Sequence, residues 1–199
     1  MNYETKEIRT KNLIMKRGLK EDYMKVYEYD YSKLKGIDGI IKFVKQDLKK
    51  IERLFKNGIN KYFINIKKAH MFDWIIYLND APIGNILTVS ENEKESQIEV
   101  SFNLHPNYWG KGYMPEALEG VIEFLYENGY DSVICTYQDD NIKAKRVLNK
   151  LGFKPYKILK DSAKSEKGNT IDEYKVIMTK EDWFSKTGQL DKLKVLSSL

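Results

Sequence analysis

A chain of 199 residues with 42% hydrophobic side chains is long enough to bury one full core, roughly 70% of the surface its unfolded form exposes, without cross-links. A single cysteine excludes a disulfide framework and two histidines leave no zinc spacing, so no metal is expected. No run of about 18 apolar residues and no apolar leader behind "MNYETKEIRTKN" points to a membrane or to secretion, so a cytoplasmic protein is expected, and a net charge of +5 favours an anionic ligand but falls short of a nucleic-acid signature.

In chain order, "NLIMKRG" (Asn12 to Gly18) alternates as a short strand and "EDYMKVYEYDYSKL" follows at helical spacing. A basic segment from Ile40 to Phe55 reads as a second helix closed by Asn57-Gly58. Nine lysines and arginines face two acids between Lys42 and Lys68, either a solvated face or a dock for an acidic partner. Three strands, Phe72 to Leu78, Ala81 to Val89 and Gln97 to Leu104, are separated by turn signals at Asn79-Asp80 and Glu91 to Glu95, which predicts an antiparallel meander. The period then becomes 3.6: Met114, Ala117, Leu118, Val121, Ile122 and Leu125 share one helix face, and Gly129 supplies the stop. "DSVICTY" is strand-like, and Asn141 caps a helix with the stripe Ala144, Val147, Leu148, Leu151, ended by Gly152. "FKPYKIL" and "DEYKVIM" read as the last strands, with "SAKSEKGN" as their hairpin loop. The order β-α-α-β-β-β-α-β-α-β-β belongs to a mixed α/β (α+β) domain.

The stretch "LHPNYWGKGYMPEAL", Leu104 to Leu118, holds no G-x-x-x-x-G-K-S/T, and Pro115 stands where G-x-G-x-x-G needs its third glycine. Glycines at alternate positions can still turn successive N–H groups inward as an anion nest. A helix opening there adds the positive end of its dipole, Lys111 adds a full charge, and Pro115 removes only a donor the first turn does not use. On the residues alone, the loop is either such a site or a plain chain reversal.

"HPNYWGKGYMPEAL" followed by "NIKAKRVLNKLGF" resembles the GNAT superfamily of acetyl-CoA-dependent N-acetyltransferases, in particular its ribosomal-protein (RimJ/RimL-like) branch. "RTKNLIMKRGLKEDY" and "DEYKVIMTKEDW" extend the resemblance over residues 8 to 183, so 1–183 reads as one domain and 184–199 as a C-terminal extension. In that tail Leu190, Leu193 and Leu196 are spaced for a short helix packed on this chain or on a neighbour. The resemblance implies a mostly antiparallel central sheet of about six or seven strands with helices on both faces. It also implies acetyl-CoA as co-substrate and an amine acceptor. The family signature Q/R-x-x-G-x-G/A lands on Asn107, Gly110 and Gly112, with N–H groups from about Tyr108 through Trp109 and Lys111 to Tyr113 as donors to the coenzyme A pyrophosphate and Met114 beside them. Asn107 departs from Gln or Arg, which weakens affinity rather than abolishing it, since backbone donors dominate such a loop. Phe102 and Leu104 on the preceding strand are expected against the cofactor. The second pattern, N-x-x-S/A-x-R/K-V-L, places Asn141 and Arg146 near its far side, although Asn141 also reads as a plain cap.

Acetyl transfer needs a neutral amine, a hydrogen bond to the carbonyl oxygen and a proton for the thiolate. In the family the second comes from a backbone N–H on the strand before the loop. Here Gln97, Glu99, Ser101 and Asn103 form a polar row on that strand, which either lines a cleft or marks an uncovered sheet face. Glu99 is the candidate general base, its pKa expected to be raised by a partly closed cleft. Glu116 competes but sits where carboxylates offset the helix dipole, and His105 reads as a loop residue. The family's hydroxyl position holds Ala144, so Tyr137 or Tyr156 stands in as acid, with Tyr137 ahead. An α-amino group is about 10 to 15% neutral at pH 7 against under about 0.1% for an alkyl ammonium. A lone Glu therefore suits a peptide or protein N-terminus, or a small-molecule amine of lowered pKa. In the family, selectivity lies in the early helices, here Tyr23 to Asn60. The alternative is a non-catalytic acyl-CoA-binding or regulatory module, hinted at by Asn107 and Ala144; a monomer or homodimer is expected.

Overall fold

A computed structural model describes residues 4–27, 72–164 and 169–196. The expected basic helix Ile40 to Phe55, most of the selectivity segment and part of the "SAKSEKGN" loop lie outside the described residues.

The first elements are β1 (Ile8–Arg9), β2 (Ile14–Lys16) and α1 (Lys20–Tyr27), followed by the meander β3 (Asp73–Leu78), β4 (Ala81–Asn92) and β5 (Gln97–Leu104). Then come α2 (Tyr113–Glu127), β6 (Ser132–Gln138), α3 (Ile142–Leu151), β7 (Lys154–Lys164), β8 (Thr170–Thr179), α4 (Lys180–Lys186) and α5 (Leu190–Leu196). One sheet of eight strands runs β1-β2-β3-β4-β5-β6-β8-β7. Among the described residues only β5 and β6 pair in parallel; the other neighbours are antiparallel. The two-residue β1 is the strand beyond the expected six or seven, too short to show a period.

The meander forms because its turns are built for it. Asn79 and Asp80 both take positive φ, 48° and 64°, the primed geometry of a two-residue hairpin loop. β4 runs past Val89 to Asn92 by absorbing a bulge between Thr88 and Ser90.

One face of the sheet meets α2. Its stripe Met114, Ala117, Leu118, Val121, Ile122 and Leu125 is buried against Trp74, Ile76, Ile86, Ile98, Val100 and Val133. Phe124 stands edge-on to Phe72 and Trp74, with centroids 5.4 and 5.5 Å away. Beyond β8, Trp183 and Phe184 of α4 belong to this core, Phe184 lying 6.0 Å from the Tyr126 ring. Packed residues therefore run past position 183. From α5, Lys192 reaches back to Glu123 and, at 2.7 Å, to Glu127 of α2. On the opposite sheet face α1 anchors through Tyr23 to Asp73 and through Asp22 to the Tyr77 hydroxyl, 2.7 Å.

What positions the site is the divergence of the one parallel pair. β5 and β6 are in register from Gln97–Ser132 to Val100–Cys135 and no further. Ser101 to Leu104 and Thr136 to Gln138 continue as strands, each held by its outer neighbour, and a wedge opens between them.

Candidate active site

The wedge widens into a cavity of about 610 Å³ whose walls are the freed ends of β5 and β6, the glycine loop and one face of α3. Across β5, His105 donates its N–H to Ile83 O at 2.7 Å, so ladder alternation turns the main-chain groups of Phe102 and Leu104 away from β4 and into the wedge. Leu104 O is taken by the Trp109 indole N–H at 2.6 Å.

In the loop, Gly110 and Gly112 sit at φ 75° and 86°, and a Cβ on either would meet nothing within 4 Å. The left-handed backbone, not crowding, demands glycine there. Tyr108 and Trp109 donate their N–H groups to His105 O and Pro106 O, 2.9 and 3.1 Å, in a short 3-10 turn. The expected donor run from Tyr108 to Tyr113 is corrected on this point: its first two members are spent internally. Among the described residues the N–H groups of Gly110, Lys111, Gly112, Tyr113 and Met114 make no hydrogen bond within the chain. Gly112, Tyr113 and Met114 are orphan donors of the start of α2, and Gly110 and Lys111 belong to the bend before it.

Of the residues expected at the cofactor, Phe102, Leu104, Tyr108, Trp109, Gly110, Gly112, Tyr113, Met114, Asn141 and Arg146 line the cavity. Asn107 and Lys111 do not; both are exposed, Asn107 N bonding to His105 Nδ1 at 3.3 Å and Lys111 Nζ lying 5.6 Å from the Tyr108 ring. Asn141 caps α3 through Ala144 N at 3.0 Å and lines the cavity as well.

Lys143 and Lys150 also line it, and sequence reasoning missed them. Lys143, Arg146 and Lys150 recur at i, i+3 and i+7, one face of α3, so the signal was present in the spacing. Lys143 Nζ sits 3.5 Å from the Trp109 ring centroid, and burial pushes its pKa down.

Glu99 differs from expectation. It lies outside the cavity lining, bound by Lys175 Nζ at 2.8 Å, Thr136 Oγ1 at 2.5 Å and Ser90 Oγ at 3.0 Å. Burial pushes its carboxyl up, but the contacts with Lys175, Thr136 and Ser90 outweigh it and hold the group below its ordinary 4.5. The raised pKa expected of a base is thus corrected. A depressed folded value contributes stability above the unfolded pKa that is lost as pH falls through the folded one. Glu99→Gln should therefore cost roughly 1 to 3 kcal/mol at pH 7. The deficit should shrink below about pH 4, as urea midpoints at the two pH values would show.

Glu116 is spoken for too. Its carboxylate accepts from Thr10 Oγ1 at 2.6 Å and from Asn12 N and Nδ2 at 2.7 and 2.8 Å. Despite the burial that raises it, the bonds from Asn12 and Thr10 hold its pKa down. Tyr137 lines the cavity stacked on Tyr174, centroids 5.5 Å apart, and burial beside Tyr174 and Asp139 raises its pKa. Tyr156 is exposed on β7, outside the lining. Cys135 is buried, and burial raises its thiol pKa well above the ordinary value.

Residues 21–154 match the family model described as the acetyltransferase (GNAT) domain. The chain belongs to the GNAT acetyltransferase family. This GNAT protein is an acyltransferase by that membership. It is 29% identical, over 181 residues covering 88% of it and 98% of the relative, to YnaD of Bacillus subtilis (strain 168), an uncharacterized N-acetyltransferase. Its fold is shared with RimL, a ribosomal-protein α-N acetyltransferase in complex with coenzyme A (TM-score 0.72, 11% identity, 89% of this chain and 99% of that one). It is shared as well with the microcin self-immunity acetyltransferase MccE in complex with acetyl-CoA and AMP (TM-score 0.65, 15% identity, 85% and 93%). Among the described residues no helix of this GNAT protein is long and apolar enough to cross a membrane, and no group of His, Cys, Asp or Glu side chains is placed to hold a metal.

Proposed function

We propose that the protein moves an acetyl group from acetyl-CoA to a primary amine, a peptide or protein N-terminus or a small-molecule amine, by direct attack in a ternary complex. In this reading it belongs to the RimJ/RimL-like branch. The observation that carries it is the row of partnerless N–H groups from Gly110 to Met114 at the mouth of the wedge.

The residues present fit a thioester carrier. The nest and the start of α2 meet a diphosphate, and Lys143, Arg146 and Lys150 supply positive charge along one wall. Lys111, exposed at the rim, adds to the same field. When bound, the carrier supplies an activated acyl carbon. The freed main-chain groups of Phe102 and Leu104 offer an N–H to the carbonyl oxygen as it gains charge. Tyr137, kept protonated by its raised pKa, holds a proton for the departing sulfur. Glu99 acts at one remove, orienting the Thr136 hydroxyl that it binds at the cavity wall. Peptide N-termini, polyamines and aminoglycosides are the acceptor classes to test.

Acetyl-CoA at about 100 times its Kd should stabilise the fold by about 2.7 kcal/mol, and free thiol should appear with at least one class of amine in such a panel. Stabilisation without thiol release from any of them would return the non-catalytic acyl-CoA-binding module. No stabilisation would remove the carrier.

A further inference from the structure

The sheet face turned away from α2 and α3 carries a polar row whose charges are unequally satisfied. Register places Thr136 opposite Lys175 and Gln138 opposite Glu173 across β6 and β8, and cross-strand partners share a face. On β5 the same face shows Glu99, Ser101 and Asn103. Lys175 is consumed by Glu99, which also accepts from Thr136 and Ser90. These charges cancel beneath the apex of the wedge.

Two residues further along β8, Glu173 lines the cavity, and among the described residues its carboxylate meets neither a donor nor a cation. Across the gap Asn103 lines the cavity as well, its Nδ2 buried without an acceptor. A buried donor and a carboxylate left without partners are costly arrangements that a ligand relieves. α2 and the diphosphate nest occupy the opposite face, and among the described residues α1 is the helix that lies on theirs, packed on β3 and β4.

The geometry points to Glu173, rather than Glu99, as the catalytic carboxylate that receives the acceptor's ammonium, with Asn103 donating to an acceptor atom of the same molecule. This rests on the acetyl-transfer reading above. One ammonium proton passes to Glu173, and the nitrogen lone pair so freed forms the C–N bond at the thioester carbonyl carbon. The C–S bond breaks with its electron pair on sulfur, which takes a proton from the Tyr137 hydroxyl. The nitrogen's surplus proton goes to solvent, Tyr137 regains one from solvent, and Glu173 releases its own. One thioester and one ammonium thus give one amide, one thiol and one free proton.

The test compares the full chain with Glu173→Gln and Glu99→Gln, by thiol release from acetyl-CoA with unblocked tetrapeptides, spermidine and kanamycin, alongside melting temperature and acetyl-CoA Kd. Glu173→Gln should lose about a hundredfold in kcat/KM for the acceptor with unaltered melting and acetyl-CoA affinity, whereas Glu99→Gln should melt lower and lose less than about tenfold. An active wild-type enzyme matched within about threefold by Glu173→Gln, or a Glu173→Gln loss confined to acetyl-CoA Kd, overturns the assignment of the carboxylate alone. If the wild-type chain binds acetyl-CoA but acetylates none of these amines, the transfer reading fails and this assignment falls with it.

Discussion

Gly112→Asp should raise the dissociation constant for acetyl-CoA by about a hundredfold, while Gly112→Asn should raise it less than about tenfold. The two side chains have nearly the same shape and are the non-glycine residues that best tolerate a left-handed backbone. A Cβ at position 112 meets nothing within 4 Å, so neither variant disturbs packing. They differ only in a negative charge set among the N–H groups that the proposed function turns toward a diphosphate. At an effective dielectric near 20, two unit charges about 4 Å apart interact by about 4 kcal/mol, of which a partly screened loop retains enough for two decades of affinity. Titration calorimetry of both variants settles the matter: equal losses would mean that the bend serves chain reversal and not anion binding.

Tyr137→Phe should lower kcat by about a hundredfold with little change in acetyl-CoA Kd. The phenyl ring keeps the stack on Tyr174, whose centroid is 5.5 Å away, so only the hydroxyl is lost. Burial beside Tyr174 and Asp139 raises the pKa of this phenol, which keeps the proton on oxygen across the neutral range. Single-turnover thiol release separates the step from binding. An undiminished rate would assign the sulfur's proton to solvent and leave Tyr137 a packing residue.

The parts of this fold written in local pattern were legible in the chain. β5 spans Gln97–Leu104 as its alternation requires, and α3 begins after its Asn141 cap and stops at Gly152, where φ is 87°. The glycine loop declared its bend, because φ is a property of single residues, but not that Tyr108 and Trp109 use their N–H groups inside the turn. What stayed hidden depends on partners distant in sequence. Glu99 meets Lys175 across 76 positions, and that contact together with the bonds from Thr136 and Ser90 reverses the sign of the pKa shift which burial alone implies. Lys143 reaches Trp109 only after α3 has packed beside the loop. Glu173 resembled any other acid on a strand until register set it opposite Gln138 at the open end of the wedge. The bulge after Thr88 left no mark, since a one-residue slip within an alternating strand looks like continued alternation over so short a span.

The three hydrogen bonds that Glu116 takes from Thr10 and Asn12 lash the hairpin at the front of the chain to the first turn of α2. The stretch matched by the family model begins at residue 21 and leaves that hairpin out. Trimming the protein to those bounds would cut the guy-rope from the very helix to whose amides the proposed function assigns the carrier, and a fusion partner crowding Asn12 would slacken it.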